Sequence, residues 1–409
     1  MSPLKKHSST ELKQVFIDCI PGPTHHFGGH AIGNLPSMEF KETPSNPKKA
    51  ALEWLEKVNI VKQMGAHQCI IPPHPRPLLC DLNTPSMNQC SSGFMWMANA
   101  GHFIPSIDAG VNWHQFIPAN MSHSNHRNKE HAIHQFWIKK LTKNIAIHHH
   151  SPIHENDEGA ANTVRLWYTL NKPGIHVFIY GENKTGRFPA RQKRKSIDQL
   201  IEKLNPKHTF ILEQKKMAID HGVFHNDIIS FGFSNYLFCH KHAFENQSEQ
   251  LSKLKNQFKE ITNTNLNIIE TNEITVKEAA ESYVFNSQVI QTKKGTAILC
   301  PSRIKHYPNT FNLVKQWLND GHFNHILMTN IESSLMNGGG PACLRLTMYL
   351  TNDEIKKIPP LFTFTTKRYK ELKRFFNTHY PETVSHLDIK TNPSHYRSIA
   401  KMLNQTFLI

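Results

Sequence analysis

The feature that most narrows the fold is a series of apolar runs too short for helices, each ending near a polar residue. Cys69-Ile70-Ile71 precedes PPHPRP, Phe94 to Ala98 precedes Asn99, and Val177 to Tyr180 precedes Gly181; Val223 to Phe233 and Leu344 to Leu350 are similar. Runs of this length predict short buried strands. Between them, Lys48 to Met64, Lys195 to Leu204, Glu249 to Ile261 and Phe311 to Asp320 carry helical periodicity. Strands alternating with helices place the chain in the α/β class. No Pro/Gly/Ser-rich linker divides the 409 residues, so one large domain is expected, built from modules that have diverged beyond a visible repeat.

Hydrophobic residues make up 38% of the chain, enough to bury a large core and to exclude a disordered chain. The segment Met1 to Pro23 has Lys5 and Lys6 but no apolar stretch after them, and no later run approaches a membrane span. Seven cysteines are scattered without a CxxC pair, an odd count that suits a reducing cytoplasm rather than a disulfide framework. The net charge of +15 points first to an anionic partner. Lys and Arg are spread along the chain, the densest run being Arg191 to Lys195, and no nucleic-acid-binding motif accompanies them. A generally basic surface is therefore the expectation, with no nucleic-acid and no membrane partner.

The strongest local signal for chemistry is Asn337-Gly338-Gly339-Gly340-Pro341-Ala342-Cys343, which opens an apolar strand. Consecutive glycines permit backbone shapes and close approaches that a Cβ forbids, which suits a nucleophile; a flexible turn before a small core cysteine is the other reading. A thiol nucleophile needs a proton-transfer partner. Gly222-Val223-Phe224-His225-Asn226-Asp227 offers one, because alternate residues of a strand share a face and His225 and Asp227 would point together. Among 28 histidines one alone means little. Asp157-Glu158-Gly159-Ala160-Ala161-Asn162 sets two acids against small residues, either beside a ligand or at a helix N-terminus.

Two other patterns fail on inspection. Gly181 to Gly186 has the glycine spacing of a phosphate loop, but Arg187 and Phe188 stand where Lys and Ser/Thr are required. His148-His149-His150 with His154 lacks any accompanying zinc-ligand spacing. Neither a nucleotide nor a metal is expected.

Taken in order, THHFGGHAIGN at 24–34, IPPHPRP at 71–77, MWMAN at 95–99, DEGAAN at 157–162, FPARQ at 188–192, GVFHND at 222–227, LFCHKHAF at 237–244, FNSQ at 285–288 and NGGGPACLRL at 337–346 resemble the N-succinylarginine dihydrolase family. The resemblance runs from about Phe16 to Leu350; the stretch from Asp81 to Ser91 is short for the family and the tail beyond Leu350 matches poorly. It implies a pentein fold, a five-bladed α/β propeller of ββαβ modules, as a single catalytic domain over 1–409 with 1–15 as a flexible extension. Matching positions imply Cys343 as nucleophile, His225 as general acid/base and Glu158 as the third catalytic group. Asn99, His126, Arg127, Arg191, Asp227 and Asn337 match substrate-contacting positions, as does the loop Gly28, Gly29, His30, Ala31, Ile32, Gly33, Asn34, Leu35, Pro36 and Ser37.

The implied substrate has a guanidinium at one end and two carboxylates at the other. Arg127 and Arg191 are expected to hold carboxylates in a bidentate manner, and Glu158 and Asp227 to face the guanidinium. Two hydrolyses through Cys343 would give N-succinylornithine, two ammonia and carbon dioxide with no cofactor, in a cytoplasmic homodimer. The nearest rival is a deiminase that stops after one hydrolysis, against which Ala342 stands where arginine deiminases typically carry a histidine. A basic nucleic-acid-binding protein with an incidental cysteine is the rival from another class; it would need a contiguous Lys/Arg face with exposed aromatics.

Overall fold

The computed structural model describes residues 11–25, 32–41, 43–77, 95–124 and 127–407. Among these, fifteen strands form five three-stranded sheets. The first contains β1 (Leu12–Cys19), β2 (His67–Ile71) and β15 (Arg345–Thr351); the second β3 (Gly101–Ile104), β4 (His114–Pro118) and β5 (Ile147–His149). The third holds β6 (Thr163–Leu166), β7 (Ile175–Tyr180) and β8 (Thr209–Glu213), and the fourth β9 (Ser230–Phe233), β10 (Tyr236–His240) and β11 (Asn267–Thr271). The fifth is β12 (Gln288–Thr292), β13 (Gly295–Pro301) and β14 (His325–Thr329).

One rule builds every sheet. The central strand pairs antiparallel with one neighbour and parallel with the other. An antiparallel pair closes through a short turn, whereas a parallel pair needs a crossover, here supplied by a helix. The crossover helices are Pro47–Gln63, Glu130–Leu141, Arg194–Leu204, Gln247–Thr262 and Pro308–Asn319. In the first, Asn46 caps the N-terminus by accepting from Lys49 N, and Ala50, Trp54, Val58 and Val61 bury one face at helical spacing. The circle closes when the C-terminal strand β15 pairs with the N-terminal strand β1, from Leu12↔Thr351 to Asp18↔Arg345. One buried cluster draws Val15, Phe116, Val177, Phe238 and Ile298 from all five central strands. This is the five-bladed pentein propeller.

Three sequence expectations need correction. Residues 12–15 are not part of a flexible extension: they begin β1, and Val15 is fully buried, because the blade needs an edge for β15 to close on. Val223 to Phe233 is not one strand, since Asn226–Ile228 forms a short 3-10 turn before β9, anchored by Asn226 N donating to Asn162 Oδ1 at 2.9 Å. Met97–Ala100 is likewise a 3-10 turn, with Phe94 outside the described residues. Burial of nearly every residue in these turns, Asp227 alone being half-buried, mimics a strand's apolar run.

Beyond β15 the chain continues through helices Asn352–Lys357, Thr366–His379, His386–Thr391 and Pro393–Gln405. Phe376 meets Trp54 edge to face at 6.5 Å, and Tyr380 donates to Pro21 O at 2.7 Å, so the tail braces the first blade from outside.

The first blade also contains a fully buried ion pair, Lys57 Nζ to Asp18 Oδ2 at 2.6 Å, with Gln68 Nε2 donating to Asp18 Oδ1 at 2.9 Å. Removing one partner strands the other charge without solvent. Asp18→Ala is expected to destabilise the protein by about 3–5 kcal/mol, read as a lower urea midpoint, and Asp18→Ala with Lys57→Met to recover much of the loss. A midpoint unmoved by Asp18→Ala contradicts the assignment.

Candidate active site

Residues in the few positions before the antiparallel partner of each central strand converge on one centre. Asn99 precedes β3, Glu158 β6, His225 and Asp227 β9, Asn286 β12 and Cys343 β15. Hydrogen bonds link these segments in a closed ring. Asn99 Nδ2 donates to Glu158 O at 2.6 Å, Asn226 N to Asn162 Oδ1 at 2.9 Å, and Asn286 Nδ2 to Asp227 O at 3.3 Å. Ala342 N donates to Asn286 O and Ala98 N to Cys343 O, each at 3.0 Å.

Glu158 is the N-cap of the 3-10 turn Gly159–Asn162, but its side chain makes no capping bond; the helix-terminus reading fits Asp157, which accepts from Gly159 N, and not Glu158. Gly159 has φ +76°, and a Cβ there would lie 2.6 Å from Ala98 O, so this turn requires glycine. The Glu158 carboxylate is fully buried. Oε2 meets His225 Nε2 at 2.7 Å and Arg191 Nη2 at 2.6 Å, and Oε1 accepts from Asn156 Nδ2 at 3.4 Å. Burial opposes ionisation, but Arg191 and His225 outweigh it and hold the carboxyl well below its usual range. Asp157 orders the same loop, with Oδ1 facing His102 Nε2 at 3.0 Å and accepting from Gly159 N at 3.0 Å and Gln192 Nε2 at 3.2 Å.

Cys343 closes the triglycine loop. Its Sγ lies 3.2 Å from Asn286 Nδ2 and 3.6 Å from Asp227 Oδ2, while its N–H donates to Asn286 Oδ1 at 3.2 Å. Asn286 thus clamps thiol, backbone and Asp227 together. The glycines do give close approach, but to protein groups: a Cβ at Gly338, where φ is +86°, would lie 1.8 Å from Asn34 Nδ2, and one at Gly339 would lie 1.8 Å from Trp96 Nε1. Burial, then the neighbouring Asp227 carboxylate, push the Cys343 thiol well up. Burial likewise raises Asp227, opposed by His225 and Arg345.

Of the loop matched at 28–37, residues 32–37 are described; Gly28, Gly29, His30, Ala31 and also His126 lie outside the described residues. Asn34 accepts from Ser37 N at 3.2 Å, capping helix Leu35–Glu39, and donates to Gly338 O at 3.1 Å. Ser37 Oγ reaches Asn337 Oδ1 at 3.5 Å. Pro36 sits in the first turn of that helix, Gly33 takes φ +89°, and Ile32 is exposed. The loop is therefore tied to the glycine segment beside Cys343.

The arginines are engaged with protein carboxylates. Arg127 Nε contacts Glu130 Oε2 at 2.9 Å and Nη1 contacts Asn99 Oδ1 at 3.4 Å, with the guanidinium 5.8 Å from the Trp96 ring centre. Arg191 binds Glu158 and lies 5.7 Å from the Phe224 ring centre; its Nη1 is buried without a partner among the described residues. Asn286, Asn156 and Gln192 were not singled out from sequence, although FNSQ and FPARQ contained two of them; amide residues carry no titration or periodicity signal. No group of three His, Cys, Asp or Glu able to hold a metal occurs among the described residues.

A thiol, an imidazole and two carboxylates converging at the centre of five blades define an enzyme of the pentein class. The family model for succinylarginine dihydrolase matches residues 11–405, extending the resemblance through the tail beyond Leu350. N-succinylarginine dihydrolase of Photorhabdus laumondii is 31% identical over 91% of this chain and 92% of its own, and that of Marinobacter nauticus 30% identical over 95% of each. The chain belongs to the succinylarginine dihydrolase family. In fold it is similar to the N-terminal domain of ArgZ, an arginine dihydrolase from the ornithine-ammonia cycle in cyanobacteria, with TM-score 0.53 and 16% identity over 82% of this chain and 97% of that one. DDAH from Pseudomonas aeruginosa, at TM-score 0.50 and 12% identity over 82% of this chain and 100% of that one, shares the architecture.

A raised thiol pKa fixes the sign of a pH effect. Below its pKa the thiolate fraction rises about tenfold per pH unit, and the thiolate is the species that reacts. Iodoacetamide labelling of Cys343 without substrate is expected to accelerate continuously from pH 7 to pH 9. A rate already level at pH 7 contradicts a protonated resting thiol.

Proposed function

We propose that this chain hydrolyses N2-succinyl-L-arginine to N2-succinyl-L-ornithine, two ammonia and carbon dioxide, with Cys343 as nucleophile, His225 as general acid/base and Glu158 as its orienting carboxylate. The observation that carries this reading is the convergence of the Cys343–Asp227 contact and the His225–Glu158 pair at one centre. A substrate guanidinium placed against Asp227 supplies the positive charge that favours ionisation of the neighbouring thiol. The thiolate forms a C–S bond to the guanidinium carbon; the C–N bond breaks, and imidazolium His225 gives its proton to the departing ammonia. Neutral His225 then takes a proton from water as it adds, the C–S bond breaks, and a ureido product remains.

A second cycle at the same carbon gives a carbamate, which loses carbon dioxide to leave the amine. Holding the remote carboxylates throughout makes that second attack effectively intramolecular. Arg191 Nη1, buried and unpaired among the described residues, is suited to a substrate carboxylate, and Arg127, Asn99, Asn337 and the loop to Ser37 complete that end. Ala342 in the place of a deiminase histidine favours two cycles over one. The enzyme is read as a cytoplasmic homodimer; no helix among the described residues is long and apolar enough to cross a membrane.

Each N-succinylarginine consumed is expected to release two ammonia and one carbon dioxide, with N-succinylornithine identified by mass spectrometry. One ammonia with N-succinylcitrulline accumulating makes the enzyme a deiminase. Free arginine lacks the succinyl carboxylate and leaves a buried donor unpaired, a loss of about 1–3 kcal/mol; its kcat/KM is expected to fall by roughly tenfold or more. Equal efficiency on free arginine removes the carboxylate site from the account.

A further inference from the structure

Arg345 stands two residues beyond Cys343, at the first position of β15. Its cross-strand partner is Asp18, but that carboxylate is already held by Lys57 and Gln68. The Arg345 side chain borders a cavity of about 130 Å³ together with Asp227, Asn226, Ala342, Tyr349 and Arg165. Arg165 is matched there by Asp108, at 2.6 and 3.0 Å. Arg345 is not: its Nε is buried without a hydrogen-bond partner, and no carboxylate lies within ion-pair distance among the described residues. A cavity of this size admits a few water molecules, enough to solvate outer N–H groups while the charge continues to act on its neighbours.

The groups that feel this charge are Tyr349, Asp227, Asp18 and the Cys343 thiol. Arg345 opposes the rise in the Asp227 pKa and stands at the start of the strand that the thiol's turn leads into. The other basic groups at the centre face other carboxylates, Arg191 and His225 meeting Glu158 and Arg127 meeting Glu130.

During the first hydrolysis the substrate guanidinium brings its own positive charge to Asp227 and the thiol. During the second, the ureido group is neutral. Resting on the dihydrolase reading above, we propose that Arg345 is a positioning residue for the second hydrolysis, supplying the cation that the neutral intermediate no longer provides to Cys343 and Asp227. In that step the thiolate forms a C–S bond to the ureido carbon, the C–N bond breaks, and ammonia leaves with a proton from His225. Water then adds, giving its proton to His225, and the C–S bond breaks to return the thiolate and a carbamate that loses carbon dioxide.

The test follows ammonia and organic products from N-succinylarginine and, separately, from supplied N-succinylcitrulline, with thermal melting as a check on folding. For Arg345→Met the first ammonia is expected near the wild-type rate, the second slowed about tenfold or more by loss of a charge acting through a low-dielectric interior, and N-succinylcitrulline is expected to accumulate. Arg345→Lys, which keeps the charge, is expected to restore the two-to-one ammonia ratio. Equal slowing of both steps in a folded Arg345→Met overturns the inference, as does wild-type turnover of N-succinylcitrulline by that variant. Should Arg345→Met not fold, Arg345→Lys carries the test alone: its keeping the ratio supports the inference and its stopping after one ammonia overturns it. Wild-type protein that itself releases one ammonia defeats the dihydrolase reading, and this inference with it.

Discussion

The structure depends on a ring of hydrogen bonds that joins the five blades just before the antiparallel partner of each central strand. Each bond ties one blade's turn to the next, and the last closes through Ala98 N and Cys343 O. Buried backbone and amide groups cannot be left unpaired without cost, so the ring fixes blade spacing and site geometry together. That is why Asn99, Glu158, Asp227, Asn286 and Cys343, scattered along the chain, share one centre. It also explains why a glycine is needed at 159, where the turn passes within Cβ contact of Ala98 O.

Within this ring two buried carboxylates have opposite environments. Glu158 is met by a guanidinium and an imidazole, which together outweigh desolvation and keep it ionised. Asp227 has no comparable partner; burial raises it, and it sits against a thiol whose own ionisation it opposes. The first arrangement holds the His225 ring by a 2.7 Å contact. The second favours a cation arriving from outside, and a guanidinium fits that demand through geometry and charge. On the proposed reading, separation of the two environments divides proton handling from nucleophile activation at a single site.

Much of this is legible in the sequence, although several of its signals arise from a different local structure than the one they suggest. The crossover helices at 47–63, 194–204, 247–262 and 308–319 follow from periodicity, which reports one buried face. The turns at 97–100 and 226–228 read as strands because nearly all their residues are buried, and burial on every side erases the alternation that distinguishes a strand. His225 and Asp227 converge through a turn rather than through strand alternation. Asn286 gave no signal of its own, since an amide clamp is recognised only by what it joins. The closure of β1 on β15, which pairs residues more than three hundred positions apart, has no local trace; it made residues 12–15 read as an extension.

The central claim is that one sulfur attacks the same substrate carbon twice. It is tested most directly by acid-quenching the enzyme during turnover of N-succinylarginine, digesting it, and measuring the mass of the peptide that contains Cys343. Two adducts are predicted on that cysteine alone, an amidino form and a second form carrying oxygen where the first carries nitrogen. The amidino adduct as the sole species, or label on a different cysteine, would contradict the account.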